Sequence, residues 1–471
     1  MRNFFCLILC AIIFIGNQKA RAQELSGELT EEQFLRLVLE NHPMAQQAQN
    51  LMEMGEFAVL QARGGFDPYL FSKNKQKFYN GTNYYLYSNS GITLPTRTGI
   101  KVQAGYDWNE GEYISRERTL PPQGLWYAGV SVPVLQGLII DERRAALQQA
   151  FIERQNFENE ARLLLIDVML QASRNYWQWV QYKYQKIVVE EAIELAADNF
   201  QNFKIAFRQG DKPAVDTLEA SIQLQNLSIQ NQQLDNDLET ARLNLYTFLW
   251  GDERNPLEEG DFYPSDVNTI SEDQIDSLRA TLPIFVQDHP EIRSYEFKMQ
   301  MIRIDSRLKR EKLKPKLDLE YNVLQNPAND ISEVAGLDNY NWGLTFSVPL
   351  LLRSERGALR LNELKFENAN LQVQQKRLEI LNKARQYENT FQNISTQLET
   401  YQQVVRQYEQ LLTAELRKFE MGESSIFLIN YRQMSLVDAR LKYIELQSKY
   451  RYYYRQWLHS LGADTSLWLN E

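Results

Sequence analysis

The chain of 471 residues holds only two cysteines and three histidines. Both cysteines, Cys6 and Cys10, lie in an apolar stretch at the N-terminus. The rest of the chain therefore has no thiol nucleophile, disulfide or cysteine-bearing metal site. After that stretch, no window reaches the roughly 18 consecutive apolar residues of a membrane-spanning helix. Basic residues are outnumbered, with Lys and Arg at 51 against 61 Asp and Glu and a net charge of -10. That balance lacks the basic footprint of a nucleic-acid binder. His42 and His289 each precede a proline, and His459 lies near the C-terminus. No Ser/His/Asp set, phosphate loop or metal-ligand spacing accompanies them, so enzymatic chemistry is not expected, nor any cofactor or metal. Proline and glycine are missing altogether from residues 138–209 and 358–421, which leaves no helix breaker in either stretch.

The N-terminus reads as an export signal. Arg2 gives a positive start, Phe4 to Ile15 is apolar, and Ala20-Arg21-Ala22 supplies the small-x-small pattern. Residues 1–22 are thus expected to be removed, leaving Gln23 first.

The remainder of the chain is one unit written twice. His42-Pro43 and His289-Pro290 each end an apolar stretch, and Pro68 and Pro315 each come 25 residues after the proline of that pair. Trp126, Ala128, Val130, Val132 and Pro133 align with Trp342, Leu344, Phe346, Val348 and Pro349. Phe207-Arg208-Gln209-Gly210 matches Phe419-Glu420-Met421-Gly422. The copies are expected at residues 23–250 and 289–471, with 251–288 as a linker rich in turn residues. Each copy reads as helix, strands, very long helix, turn, helix. Thr30-Glu31-Glu32-Gln33 is a capping box opening the first helix, and the chain at His42-Pro43 is either a kink or a helix start.

The proline-free stretches carry apolar residues at alternating steps of three and four. One series is Ala384, Tyr387, Phe391, Ile394, Leu398, Tyr401, Val405, Tyr408 and Leu412, reaching Phe419 through Glu415. The first copy repeats the pattern from Val189 to Phe207. Such a seam is that of a coiled coil, and helices of these lengths could reach on the order of 100 Å.

The strands have a period of two. Leu317, Leu319, Tyr321 and Val323 alternate with polar residues, as do Trp342, Leu344, Phe346 and Val348. The first copy adds Trp126 to Val132, with Trp126, Val130 and Val132 on the apolar side, and a stretch near Tyr69 to Phe78. Each run has about the length of a membrane strand, with one face suited to lipid and the other to water. Tyr84 to Leu94 and Gly99 to Trp108 read as an extra hairpin, either in the barrel wall or as an extracellular flap. Tyr84, Tyr85, Tyr87 and Trp108 would suit a membrane interface. A barrel in lipid has no open edge, and single-chain barrels begin at about eight strands. Four principal strands per chain therefore require several chains.

These residues resemble a family. Leu29-Thr30-Glu31-Glu32-Gln33-Phe34 through Leu39-Glu40-Asn41-His42-Pro43 is similar to the opening of the TolC-like outer membrane efflux proteins. So are Pro68 and Pro315 before the strands, Val132-Pro133 and Val348-Pro349 entering the long helices, and the Phe-x-x-Gly turns. The resemblance implies a mainly α fold with a small β part. Three chains would share a twelve-stranded transmembrane β-barrel and a long antiparallel coiled-coil α-barrel, in the bacterial outer membrane and extending into the periplasm. It implies a homotrimer docked to a periplasmic adaptor (membrane fusion) protein and an inner-membrane transporter, in efflux or type I secretion. The tips Phe207, Gly210, Asp211, Pro213, Phe419, Gly422 and Glu423 would then meet the adaptor.

Family aspartates that come after the second turn glycine are here Leu428 and Tyr431, so that acidic ring is missing. Asp216 and Glu219 hold the same offsets in the first copy. The periplasmic constriction is either an acidic ring from these two or an apolar closure by Leu428 and Tyr431. Trp126, Val130, Val132, Leu317, Leu319, Tyr321, Trp342, Leu344 and Phe346 are the expected lipid-facing and interface set. A periplasmic coiled-coil scaffold or an adaptor is the competing reading.

Overall fold

A computed structural model describes residues 27–251, 255–257, 260, 262–265, 270, 272–327 and 338–469. The expected export signal and part of the linker lie outside the described residues. The chain divides into two compact units, and each draws on both halves of the sequence. One takes residues up to Gln49, Ala161–Glu291 and Arg377 onward; the other takes Asn50–Glu160 and Ile292–Lys376.

The elements run in the order β1 (Gly27–Leu29), α1 (Glu31–Asn41), α2 (Pro43–Arg63), β2 (Tyr69–Tyr79), β3 (Thr82–Pro95), β4 (Lys101–Glu110) and β5 (Leu125–Pro133). Then come α3 (Glu142–Gln209), α4 (Ala214–Tyr246), β6 (Phe262–Pro264), α5 (Glu272–Gln287) and α6 (Pro290–Glu311). The chain ends with β7 (Lys316–Gln325), β8 (Tyr340–Ser347), α7 (Arg353–Glu420), α8 (Ile426–Ser460) and α9 (Ser466–Leu469). The proline-free stretches become α3 and α7, each of 68 residues. Among the described residues no helix is long and apolar enough to cross a membrane.

In the helical unit the capping box forms as its spacing dictates. The Thr30 hydroxyl accepts from the Gln33 amide, and the Gln33 side chain accepts from the Thr30 amide. His42-Pro43 is a helix start and not a kink. His42 is extended, with φ -65° and ψ 139°, and its ring Nδ1 accepts from the Met44 amide at 3.2 Å. The same device recurs at His289-Pro290: His289 Nδ1 accepts from the Glu291 amide at 3.1 Å as α6 begins at Pro290. Proline sets the helical φ and needs no hydrogen-bond acceptor, while the imidazole caps a free amide of the first turn.

This unit's core gathers Phe34, Tyr176, Phe391, Trp457 and Trp468, all buried. β1 pairs in parallel with β6 at its margin. Further along the coil the seam is Val189, Ala192, Ala196, Leu227, Leu234 and Val437. Gln223 and Gln433 interrupt it, both buried and hydrogen-bonded to each other at 3.3 Å. Glu415, the polar step anticipated in the α7 seam, is also buried and accepts from the Ser424 hydroxyl at 2.5 Å.

The other unit is organised by one antiparallel sheet of six strands in the order β2-β3-β4-β5-β7-β8. The sequence reading of four principal strands is corrected here. β3 and β4 pair within the same sheet, between β2 and β5, so Thr82–Glu110 is sheet and not a flap. The physical reason lies in the turns: a two-residue Asn80-Gly81 loop, with φ of 50° and 76°, closes β2 onto β3 with the twist such hairpins need. Helix-linked strand ends, at Tyr69, Pro133, Lys316 and Ser347, share one end of the sheet by register. The strand ends at Tyr79, Glu110 and Gln325 lie at the far end.

Candidate functional site

The sheet has two chemically distinct faces, and pairing fixes which residue belongs to which. In an antiparallel ladder, directly opposed residues project to the same side. On one side Val102, Val130, Tyr321 and Trp342 stand in a single row across four strands. Below it run Val132, Leu319 and Leu344, then Leu317 and Phe346; above it, Ala104, Ala128, Val323 and Tyr340. The structure brings Trp126, Val130, Val132, Leu317, Leu319, Tyr321, Trp342, Leu344 and Phe346 onto this one face. Trp126 packs on Tyr106 with ring centroids 4.9 Å apart, and Tyr321 stacks on Tyr340. Among the described residues nothing covers this apolar wall at β8: Trp342, Leu344 and Phe346 are each more than half exposed.

The opposite face is polar and knit together by side chains. Gln103 reaches across β5 to donate to both Glu320 and Asn322, and Asn322 donates to Glu320 at 3.0 Å. Asn89 donates to Asp107 and, at 3.1 Å, to the Tyr127 hydroxyl. Gly105 lets this hydroxyl lie flat, since a Cβ there would meet it at 2.6 Å. Of the four aromatics expected at an interface, Trp108 shares the apolar side with Tyr106. Tyr85 and Tyr87 are corrected to the polar face, opposed to Lys77, Lys75 and Asn109.

In the helical unit the two hairpin tips are built alike. Gly210 has φ +81° and Gly422 φ +79°, the left-handed region where a side chain is disfavoured. At the first tip Gly210 donates to the Phe207 carbonyl and Asp211 to that of Ala206. At the second Gly422 donates to Phe419 and Glu423 to Lys418. Each pair of bonds is a Schellman ending. Pro213 does not enter the returning helix; it stands at the cap position, extended, and α4 starts at Ala214. The Ser425 hydroxyl caps α8 by accepting from the Leu428 amide.

Phe203, Ala220 and Ile426 make a small buried core beneath the tips, with Phe419 edge-on to Phe203. Phe207, Gly210, Asp211, Pro213, Gly422 and Glu423 are exposed around it. Asp216 and Glu219 are half-buried on α4, whereas Leu428 and Tyr431 are exposed on α8.

A polar face backed by an exposed apolar one is the pattern of a β-barrel wall with water on one side and lipid on the other. Residues 284–462 match the model of the outer membrane efflux protein family. That match makes this part of the chain similar to outer membrane efflux proteins. No curated protein matches it.

Solved structures share its fold. The CmeC outer membrane channel of Campylobacter jejuni is similar over 92% of this chain and 85% of its own, with 14% identity and a TM-score of 0.64. The outer membrane protein VceC of Vibrio cholerae is similar over 92% and 96%, with 12% identity and a TM-score of 0.66. The open MtrE outer membrane channel of Neisseria gonorrhoeae is similar over 92% and 89%, with 10% identity and a TM-score of 0.65.

Proposed function

We propose that three copies of this chain close one channel that passes solutes or polypeptides out of the cell, docked to a periplasmic adaptor and an inner-membrane pump. The observation that carries this reading is the open sheet. Among the described residues β2 and β8 each have a single neighbouring strand, so both edges present unpaired backbone groups beside an apolar face. In hydrocarbon such edges are costly and must be paired, and the next copy of the chain is the natural partner. With six strands in this sheet among the described residues of each chain, three copies supply eighteen strands, not the twelve that the family resemblance implies. The polar face then lines water and the apolar face meets lipid.

The tips are the adaptor-docking elements in this reading, because two rigid, exposed turns of the same construction are offered by one chain. The constriction is made by Asp216 and Glu219 on α4 or by Leu428 and Tyr431 on α8. A ring of like carboxylates would attract cations. The export energy comes from the pump, since the channel holds no chemistry of its own.

Two measurements test the proposal. The mature protein extracted in detergent should run as a trimer, and a monodisperse single chain in buffer without detergent would sink it. In planar bilayers Asp216→Ala should lower cation preference and change unitary conductance; unchanged values would remove Asp216 from the constriction.

A further inference from the structure

The polar face of the sheet is not uniform along its length. Near the helix-linked end its charges balance: Lys101 and Lys316 stand with Asp318 and Glu320, and Lys316 pairs with Asp318 at 3.3 Å. Toward the far end β2 contributes Lys73, Lys75 and Lys77, opposed to Asn89, Tyr87 and Tyr85 on the same side. None of the three is ion-paired among the described residues. Their ammonium groups instead rest over aromatic rings: Lys73 Nζ is 5.5 Å from the Phe71 centroid, Lys75 5.9 Å from Tyr85, and Lys77 4.5 Å from Tyr84. Aromatic faces hold a cation in place without neutralising it.

Lys73 and Lys75 also line a cleft of about 380 Å³ together with Tyr87, Asn89, Asp107 and Arg118. Asp107 is the carboxylate there, and Asn89 already donates to it. The short turn Arg116–Arg118 is fastened over this end of β4, because Asn109 donates to the Arg118 carbonyl and accepts from the Leu120 amide. A chain with a net charge of -10 thus gathers unpaired cations at one level of its water-facing surface.

We infer that Lys73, Lys75 and Lys77, with Arg118, form an anion-binding band on the lumen wall at the far end of the sheet, selective for solutes bearing carboxylate, sulfate or phosphate groups. The inference rests on the channel reading: repeated by each copy, the band becomes a ring of cations, and such rings favour anions in pores. Its position at the loop end, away from the helix-linked strand termini, makes it the last charged surface a departing solute meets.

The test uses the full mature protein in planar bilayers, with tripolyphosphate added on the side of the sheet's loop end. In about 0.1 M KCl, Lys73→Gln/Lys75→Gln/Lys77→Gln should raise the half-blocking concentration at least about tenfold, and about 1 M KCl should erase the difference. Lys101→Gln, in the balanced region, should change it less than about twofold under the same screening. Conductance steps with block unaltered by the triple substitution overturn the band alone, as does an equal effect of Lys101→Gln. Absence of any conductance steps from the unaltered protein overturns the channel reading and the band with it. Should the triple variant fail to insert, Lys75→Gln alone is read, and an unmoved block overturns the assignment.

Discussion

Arg455 donates from Nε and Nη2 to the two carboxylate oxygens of Glu31, at 3.1 and 2.8 Å, across 424 positions of sequence. Both side chains are buried, and the Ser173 hydroxyl adds a third bond to Glu31 at 2.5 Å. The pair clamps the first helix to the last long one beside Trp468, over whose ring the guanidinium lies. Burial alone would raise the Glu31 pKa, but the Arg455 charge and these hydrogen bonds outweigh it and hold it below its ordinary value. Removing one partner strands the other charge in the core, at a cost of about 3–5 kcal/mol. Arg455→Met should therefore lower the thermal midpoint strongly, and Glu31→Gln/Arg455→Met should recover most of the loss. A double variant no better than the single would show that the arginine acts by packing alone.

The paired histidines predict an acid sensitivity with a defined sign. Burial is the first cause that lowers the His289 pKa, to about 4, and burial likewise lowers that of His42. Each ring must stay neutral for Nδ1 to accept from the helix amide. A depressed folded pKa contributes stability that is complete above the unfolded value near 6.5. That contribution is lost as pH falls from there toward 4. For His289 the loss amounts to about 3 kcal/mol over that window. His289→Asn retains a side-chain acceptor at the cap, so its melting temperature should vary far less between pH 6.5 and 4. Parallel pH curves for the two proteins would refute the capping role.

The tips make a third prediction. Alanine at φ near +80° costs about 1–2 kcal/mol relative to glycine. Gly210→Ala and Gly422→Ala should each loosen the last turns of the long helices, seen as faster amide exchange at Ala206–Asp211 or Lys418–Glu423. Exchange in the distant core around Trp457 should not change. Pro213→Ala, at a cap position with no side-chain bond, should leave tip exchange close to that of the native protein.

Much of this architecture can be read from residue order, for reasons that also explain the gaps. Period-two alternation marks β5, β7 and β8 because one face of each is wholly apolar. β2 is read near Tyr69 to Phe78 and found at Tyr69–Tyr79, although Lys73, Lys75 and Lys77 alternate with Ser72, Asn74 and Gln76 and leave both faces polar there. Its pairing with β3 is set by the Asn80-Gly81 turn, which fixes a hairpin whatever the hydropathy. Long helices are legible from the absence of breakers, and α7 even tolerates Gly357 in its first turns. The His-Pro pairs mark a boundary in sequence, but the capping role of the ring depends on a hydrogen bond that no spacing announces. The Glu31–Arg455 clamp is silent for the same reason, since nothing local in either segment points to the other.

Neighbouring residues on β8 give the sharpest test of the two faces. Leu344 opposes Leu319 on the apolar side, and Thr345 opposes Asp318 on the polar side. An arginine on a lipid-facing strand position costs about 2–4 kcal/mol near the bilayer midplane and little where it meets water. Leu344→Arg should therefore depress folding into lipid vesicles by that amount in a urea titration. Thr345→Arg gains a carboxylate across the strand and should stay within about 1 kcal/mol of the native protein. Equal penalties at the two sites would mean that the sheet does not separate lipid from water, and a larger penalty at Thr345 would mean that its faces are reversed.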